Sequence, residues 1–186
     1  MSGESKYLQG RLLLDSGQLR GSYFQRTVVL VCRHNAEGAF GLVLNRPSGN
    51  SLGEMVTADL PEAFREHPLY LGGPVELGAF SYLHADEFLP GDQIIDNVVM
   101  GHSLEELDGL AGSFSPHRQL KMFAGYSGWS AGQLEGEMER SAWLTHPATR
   151  ELLFDTDPAE LWRTVLRQMG PRFRVLAEMP EDPSRN

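Results

Sequence analysis

The stretch of the chain that most constrains its fold is residues 125–135, Gly-Tyr-Ser-Gly-Trp-Ser-Ala-Gly-Gln-Leu-Glu. It holds three glycines, which permit positive φ and close backbone approach, and two large aromatic residues, Tyr126 and Trp129. An apolar run over residues 120–124 precedes it, and a helical pattern over residues 133–142 follows it. We therefore predict a glycine-rich turn between a strand and a helix, with two aromatic side chains beside exposed backbone.

Short apolar and β-branched runs, each bounded by turn residues, predict the strands of the chain. They lie at residues 12–14, 27–32, 40–44, 69–71, 80–84, 93–100 and 119–124, with a further edge strand at 173–176. The links at residues 34–38 and 75–79 are short enough for β-hairpins, and Asp96-Asn97 marks an irregularity within its strand. The sequence thus predicts several strands joined by short connections.

Four segments predict helices, at residues 51–56, 103–111, 133–142 and 157–169. Ser103 and Glu106 have the spacing of a capping box. Along the chain, strands come first and are followed by strands mixed with helices. This order favours an α+β fold with a mixed or largely antiparallel sheet. We predict about four helices packed on that sheet, in a single domain over residues 8–178 with loose termini at 1–7 and 179–186.

The charge balance of the chain disfavours some classes of partner. A formal net charge of -9 and a pI near 5.1 argue against a general nucleic-acid surface, which needs clustered lysines and arginines, and against an anionic membrane surface. No apolar run approaches the ~20 residues of a membrane span, and the N-terminus has no apolar segment typical of a signal peptide. The single cysteine, Cys32, lies in an apolar run. We expect a soluble cytoplasmic protein with a buried thiol.

Residues 128–132 fit the G-x-S-x-G pattern of a nucleophile elbow, with Ser130 as the nucleophile. A serine hydrolase also needs a histidine base and a carboxylate that orients it. The hydrolase order of serine, acid and histidine fails, because His146 is the only histidine after Ser130 and none follows Asp155 or Asp157. A structural glycine-rich turn is therefore the leading interpretation, with a serine hydrolase as an alternative.

The sequence contains no motif for a metal or a cofactor. Its six histidines are dispersed without the spacing of a zinc site, and residues 72–74 lack the Gly-Lys-Ser/Thr of a phosphate-binding loop. Glu135 and Glu137 lie near the start of the predicted helix, where they would repel an incoming anion. We predict no metal and no cofactor, and we interpret these two carboxylates as part of a solvated helix face.

Residues of special type are spread along almost the whole chain. They are Cys32, His34-Asn35, Gly38-Ala39, Gly41, Asn45, Pro47, Gly72-Gly73-Pro74, Phe80, Leu83-His84, Asp96-Asn97, Gly125-Tyr126, Trp129, Gly132-Gln133-Leu134-Glu135, Trp143-Leu144-Thr145, Pro147, Leu153-Phe154, Trp162 and Gly170. From about residue 8 to residue 170 this pattern resembles the YqgE/AlgH family of bacterial proteins. The resemblance implies an α+β fold whose bent, mixed sheet curls into a pseudo-barrel. The family has no established biochemical activity, and one branch carries a label as a regulator of alginate synthesis.

Amide, carboxylate and aromatic side chains near glycine-exposed backbone suit a groove that binds a small polar ligand or a peptide segment. The residues that we predict to line it are Asn45, Gly72, Gly73, Tyr126, Trp129, Gln133 and Glu135. The leading hypothesis is a non-enzymatic small-ligand or protein-interaction module. The alternatives are a serine hydrolase that uses Ser130 and a transcriptional regulator, which the acidic balance of the chain disfavours.

Overall fold

The computed structural model describes residues 6–57, 59–86, 89–112 and 119–181. Within these ranges the strands are β1 (Arg11–Asp15), β2 (Val28–Asn35), β3 (Gly38–Val43), β4 (Pro47–Ser51), β5 (Pro68–Leu71), β6 (Val75–His84), β7 (Asp92–Ile95), β8 (Val98–Gly101), β9 (Leu120–Ser130) and β10 (Trp143–Pro147). The helices are α1 (Leu52–Met55), α2 (Glu62–Arg65), α3 (Leu104–Gly112), α4 (Gln133–Glu139), α5 (Arg150–Phe154), α6 (Leu161–Gln168) and α7 (Pro171–Glu178). The α+β class predicted from the sequence is confirmed.

The strands form one curved sheet. Eight of them follow the order β10-β1-β2-β3-β9-β6-β8-β7, while β4 and β5 join it through the pairing of β5 with β9. The pairs along the eight-strand path are antiparallel, whereas β5 runs parallel to β9. The sheet curls into a half-barrel, so the predicted mixed, bent sheet is also confirmed.

The central strand is β9, which contacts three other strands. Its first half lies between β5 and β6, and its second half lies beside β3. The alternation of its side chains is interrupted at Gly125, whose φ of +70° lies in the left-handed region that favours glycine. As a result Phe123 and Tyr126, three residues apart, pack against the same apolar cluster.

The turn predicted over residues 125–132 is wrong in extent. The strand continues to Ser130, and the turn is confined to Ala131 and Gly132 before α4. The first of the three glycines permits the irregularity in β9, whereas a Cβ on Gly128 would make only ordinary van der Waals contact with the Tyr126 ring, at 3.4 Å. Glycine in a strand interior weakens the strand signal, which is why the pattern indicated a turn.

Gly72 and Gly73 lie where β3, β5 and β9 meet. The Gly72 N–H donates to the Ala124 carbonyl at 2.9 Å, and the Gly72 carbonyl accepts from the Val43 N–H at 2.8 Å. A Cβ on Gly73 would lie 2.1 Å from the carbonyl carbon and oxygen of Tyr126. Because no side chain fits between backbones this close, these two glycines are required by the packing of the sheet.

The predicted strand pairings are partly correct. The β2–β3 hairpin is confirmed, with a link of only Ala36 and Glu37. The hairpin predicted through residues 75–79 is wrong, because β5 and β6 pair with the two opposite edges of β9. The strand predicted at residues 93–100 is instead the β7–β8 hairpin, which turns at Asp96-Asn97 with φ of +59° at Asn97. Local patterns mark strands and turns but do not choose a partner strand.

The four predicted helices are confirmed as α1, α3, α4 and α6, with α6 beginning later than predicted. Ser103 does cap α3, but its Oγ accepts from the Glu105 N–H at 3.2 Å, and the Glu106 carboxylate of the predicted capping box accepts from the Tyr82 hydroxyl at 2.9 Å. The edge strand predicted at residues 173–176 is also wrong: these residues lie in α7, which Pro171 begins. Helix α5 and strands β4 and β10 are additional elements that the patterns did not predict.

Apolar side chains pack on both faces of the sheet. Leu12 and Leu14 face the cluster beneath α5, α6 and α7, while Leu13 faces the cluster beneath α4. A third cluster lies between α1, α2, α3 and the strands β5, β6 and β9. Cys32 is 2% exposed, which confirms its predicted burial. Within the described ranges, no helix is both long and apolar enough to cross a bilayer.

The predicted loose termini lie partly outside the described residues, which exclude 1–5 and 182–186. Inside those ranges the ends of the chain make contacts. The Tyr7 ring packs edge-on against the His34 ring at 5.1 Å between centroids, and the Met179 carbonyl accepts from Arg26 Nη2 at 2.6 Å. The single domain over residues 8–178 remains a prediction.

Replacing Gly73 by alanine should lower the free energy of unfolding by about 3 kcal/mol, the upper end of the usual cost of overpacking, because the new Cβ meets backbone atoms of Tyr126 and Ser127. Gly78→Ala is the matched control, since a Cβ there meets nothing within 4 Å. Urea denaturation measures both. A Gly73→Ala protein as stable as the Gly78→Ala protein would contradict the close approach of β5 to β9.

Candidate functional site

The structure separates the two aromatic residues of the predicted groove. Tyr126 stacks on Phe40, with ring centroids 4.9 Å apart, next to the cluster beneath α5, α6 and α7. Trp129 packs with Leu134 and Trp143 in the cluster beneath α4. Residues three apart on a regular strand point to opposite faces of a sheet. Tyr126 and Trp129 therefore do not share one groove.

Three further predicted groove residues hold the backbone of the sheet. Asn45 bridges two points of the chain, because its Oδ1 accepts from the Val28 N–H and its Nδ2 donates to the Arg26 carbonyl, each at 2.9 Å. Gly72 and Gly73 are buried at the meeting of β3, β5 and β9. These three residues therefore do not form one group with Trp129 or with α4.

Glu137 links α4 to two buried indoles. Its Oε2 accepts from Trp129 Nε1 at 2.9 Å and from Trp143 Nε1 at 2.8 Å, and its Oε1 accepts from Gln133 Nε2 at 3.1 Å. Trp129 and Trp143 are 7% and 3% exposed, so their indole N–H groups have little access to water as an alternative acceptor. The solvated face predicted for this carboxylate is corrected: Glu137 is an internal acceptor that fixes α4 on the sheet.

Gln133 also closes the turn that the elbow motif suggested. Its Oε1 accepts from the Ser130 N–H at 3.0 Å and from the Ser130 hydroxyl at 3.3 Å. Within the described ranges no histidine ring hydrogen-bonds to this hydroxyl, which lies on exposed β9 backbone at the end of the strand. Among the described residues, Ser130 therefore contributes to the turn, and no histidine is placed to act as a base for its hydroxyl.

The remaining predicted groove residue, Glu135, faces a histidine. His34 is 5% exposed, and its Nδ1 accepts from the Leu8 N–H at 3.0 Å, which leaves the proton of a neutral ring on Nε2. That nitrogen lies 3.4 Å from Glu135 Oε1. The pKa of the Glu135 carboxyl is lowered, first by its own backbone N–H and further by the His34 ring and Lys6.

Two polar atoms of this pair lack hydrogen-bond partners. Nε2 of His34 and Oε2 of Glu135 are both buried, and apart from the 3.4 Å approach of Nε2 to Glu135 Oε1 neither atom has a hydrogen-bond partner in the part of the chain that the structure describes. Buried polar groups are normally satisfied, and leaving one unsatisfied costs about 1–3 kcal/mol. An unsatisfied pair at the edge of a cavity is therefore a reason to look for a ligand there.

A cavity of about 610 Å³, here named the His34 cavity, opens beside this pair. Its lining residues are Tyr7, Leu8, Gln9, Arg11, His34, Met138 and Thr145. Arg11 makes a single long hydrogen bond within the described residues, from Nη2 to Thr145 Oγ1 at 3.4 Å. Lys6 lies next to the cavity, with its Nζ 5.6 Å from the Tyr7 ring centroid. The cavity thus combines cationic donors with aromatic and thioether surface.

Sequence reasoning did not single out Arg11, and it treated His34 as part of a hairpin loop. No local sequence signal marked either residue, because β1, β2, β10 and α4 meet only in the folded sheet.

The other candidate features of the surface are weaker. Trp129 lines a separate, shallower cavity of about 300 Å³ with Arg33, Asn35 and Phe40. Among the described residues, no group of three histidine, cysteine or acidic side chains could hold a metal ion. Burial raises the pKa of the Cys32 thiol, which makes it a poor nucleophile or ligand.

Replacing Glu137 by alanine should cost about 2–4 kcal/mol of unfolding free energy, because two buried indole N–H groups lose their acceptor. Glu139→Ala on the same helix is the matched control, since Glu139 is exposed and should change stability by less than about 0.5 kcal/mol. Chemical denaturation and the NMR shifts of the indole N–H protons measure the effect. Equal stabilities for the two variants would show that the indoles do not depend on this carboxylate.

Comparison with known proteins agrees with this architecture. The chain is 37% identical over 187 residues to a UPF0301 protein of Chlorobium limicola, covering 97% of each chain, and 36% identical over 166 residues to one of Methylococcus capsulatus, covering 87% of this chain and 91% of that protein. Its fold matches a protein of Corynebacterium diphtheriae with a TM-score of 0.76 at 19% identity, covering 92% of each chain.

A family model described as AlgH-like matches residues 12–174. The solution structure of the AlgH protein from Pseudomonas aeruginosa matches with a TM-score of 0.76 and 31% identity, covering 97% of this chain and 98% of that one. The resemblance stated from the sequence is thereby confirmed. From its sequence relatives and its fold alike, the chain belongs to the AlgH-like, or YqgE/AlgH, family.

Proposed function

We propose that this protein is a non-enzymatic module that binds a small anionic ligand in the His34 cavity. The observation that carries the proposal is the buried Nε2 of His34, a donor whose one polar neighbour among the described residues is Glu135 Oε1 at 3.4 Å, on a residue that lines a cavity of about 610 Å³. Small-molecule sites are typically cavities of roughly 300–1,000 Å³ with a few convergent polar groups. The size of the cavity favours a small molecule over a peptide segment.

The charges around the cavity support an anion. Arg11 has no ion pair within the described residues, and its single recorded bond leaves most of its five N–H donors available. A carboxylate or phosphate accepts such donors in pairs, and the His34 N–H adds a third donor nearby. Glu135 opposes an anion placed directly against it, so the anionic group belongs on the Arg11 side of the cavity.

The apolar part of the lining supports a ligand that is more than a bare ion. Tyr7 offers a ring that is half-buried, and Met138 offers a flexible, polarisable side chain from α4. A carbon skeleton that carries one or two carboxylates, or a phosphate ester, would use both kinds of surface. Inorganic phosphate alone would leave the apolar part unused and should bind more weakly.

The proposal is tested by titrating the protein with succinate, citrate, benzoate, glycerol phosphate and inorganic phosphate, followed by amide NMR shifts. We expect at least one organic anion to shift the resonances of Leu8, His34 and Met138. Arg11→Met should weaken that binding about tenfold or more, because a charge-assisted pair of hydrogen bonds is lost. Arg140→Met is the matched control, since Arg140 is exposed at the end of α4 and outside the lining.

Two outcomes would contradict the proposal. The first is that none of the five anions shifts the cavity resonances at millimolar concentration. The second is that Arg140→Met weakens binding as much as Arg11→Met, which would indicate general attraction to surface charge. Loss of folding in Arg11→Met would be visible in the same spectra and would call for Arg11→Gln as the replacement variant.

A further inference from the structure

A second feature of the chain is a buried lysine without a counter-charge. Lys121 on β9 is 6% exposed, and its Nζ donates to the Leu153 carbonyl at 3.3 Å. The same Nζ lies 4.3 Å from the centroid of the Tyr70 ring. No carboxylate of the described residues lies within ion-pair distance of it. Removing an ammonium from water without pairing it costs several kcal/mol, which an aliphatic residue would avoid.

This lysine lines a pocket of about 210 Å³, here named the Lys121 pocket. The polar side chains that share its wall are His67, Tyr70 and Thr156, and Phe154 and Leu120 add apolar surface. It shares no lining residue with the His34 cavity. The Lys121 side chain is therefore largely buried but borders a partly open pocket that a small molecule can enter.

We propose that Lys121 is a reactive amine that forms an imine with a small aldehyde or ketone held in the Lys121 pocket. The lone pair of the neutral Nζ attacks the carbonyl carbon, and the C=O π electrons move to the oxygen. The resulting carbinolamine loses that oxygen as one molecule of water, with both hydrogens of the water supplied by the amine and solvent. The product is a protonated imine on Nζ, formed reversibly and without any oxidant or reductant.

The chemistry of the pocket suits this step. Burial lowers the pKa of the Lys121 amine to about 8, so roughly a quarter of it is neutral at pH 7.5, against about 0.1% for an unperturbed lysine. Burial also lowers the pKa of His67, which favours the neutral form of a ring that lines the same pocket. The Tyr70 ring stabilises a cation at Nζ, and the imine product is again a cation.

The composition of the chain makes the test direct, because Lys6 and Lys121 are its only lysines. The folded protein is incubated with propanal and sodium cyanoborohydride at pH 7.5, which reduces the imine to a stable propylamine, and the adducts are located by peptide mass spectrometry. We expect Lys121 to be modified at least ten times faster than the exposed Lys6. Lys6→Arg should keep the fast adduct, and Lys121→Met should lose it.

Labelling of Lys121 at the rate of Lys6 or slower, or only after unfolding in urea, would overturn the proposal and identify Lys121 as a structural cation. The comparison of two lysines within one folded chain decides the matter even if Lys121→Met does not fold. Arg11→Met separates this test from that of the His34 cavity, because it should leave the labelling of Lys121 unchanged.

Discussion

The rest of the structure depends on the close approach of the backbone at Gly72 and Gly73 to β9. A Cβ on Gly72 would lie 2.4 Å from the Gly125 carbonyl oxygen, and one on Gly73 would lie 2.1 Å from Tyr126. With no side chain between them, β5 can lie parallel to the first half of β9 while the chain passes directly to β6 on its other edge. The antiparallel sheet thereby gains a parallel strand and a bend at one point.

The irregularity of β9 at this crossing distributes the side chains between two faces. In the part of β9 that precedes Gly125, Lys121 lies beside Tyr70 of β5 and donates to the carbonyl of Leu153 in α5. Beyond Gly125, Trp129 turns towards α4 and the cluster beneath it. One strand thus supplies Lys121 to the Lys121 pocket on one face and Trp129 to the cluster beneath α4 on the other, and the irregularity at Gly125 places these two residues on opposite faces.

On the α4 side the controlling group is a carboxylate. Glu137 binds both indole donors and the Gln133 amide, so the helix position is fixed by directional hydrogen bonds in addition to apolar packing. With α4 fixed, Glu135 is held 3.4 Å from His34 and Met138 is held against the cavity. In this arrangement Nε2 of His34 and Oε2 of Glu135 are both buried.

The sequence by itself determined the features that depend on near neighbours along the chain. Alternation and β-branching identified most strands, the caps and breakers identified α1, α3, α4 and α6, and the apolar run identified Cys32 as buried. The spacing of special residues also identified the family. These features are predictable because turn conformations and side-chain periods are set within a few residues.

Only the tertiary structure decided which residues act together. His34 meets Glu135 across about a hundred residues of chain, and Lys121 loses water because Leu153 and Tyr70 close over it. The pattern that marked residues 125–135 as special was informative, yet it could not assign Tyr126 and Trp129 to opposite faces. Contacts of this kind depend on how distant segments pack and on where a strand breaks its alternation, and neither is encoded in a local window of sequence.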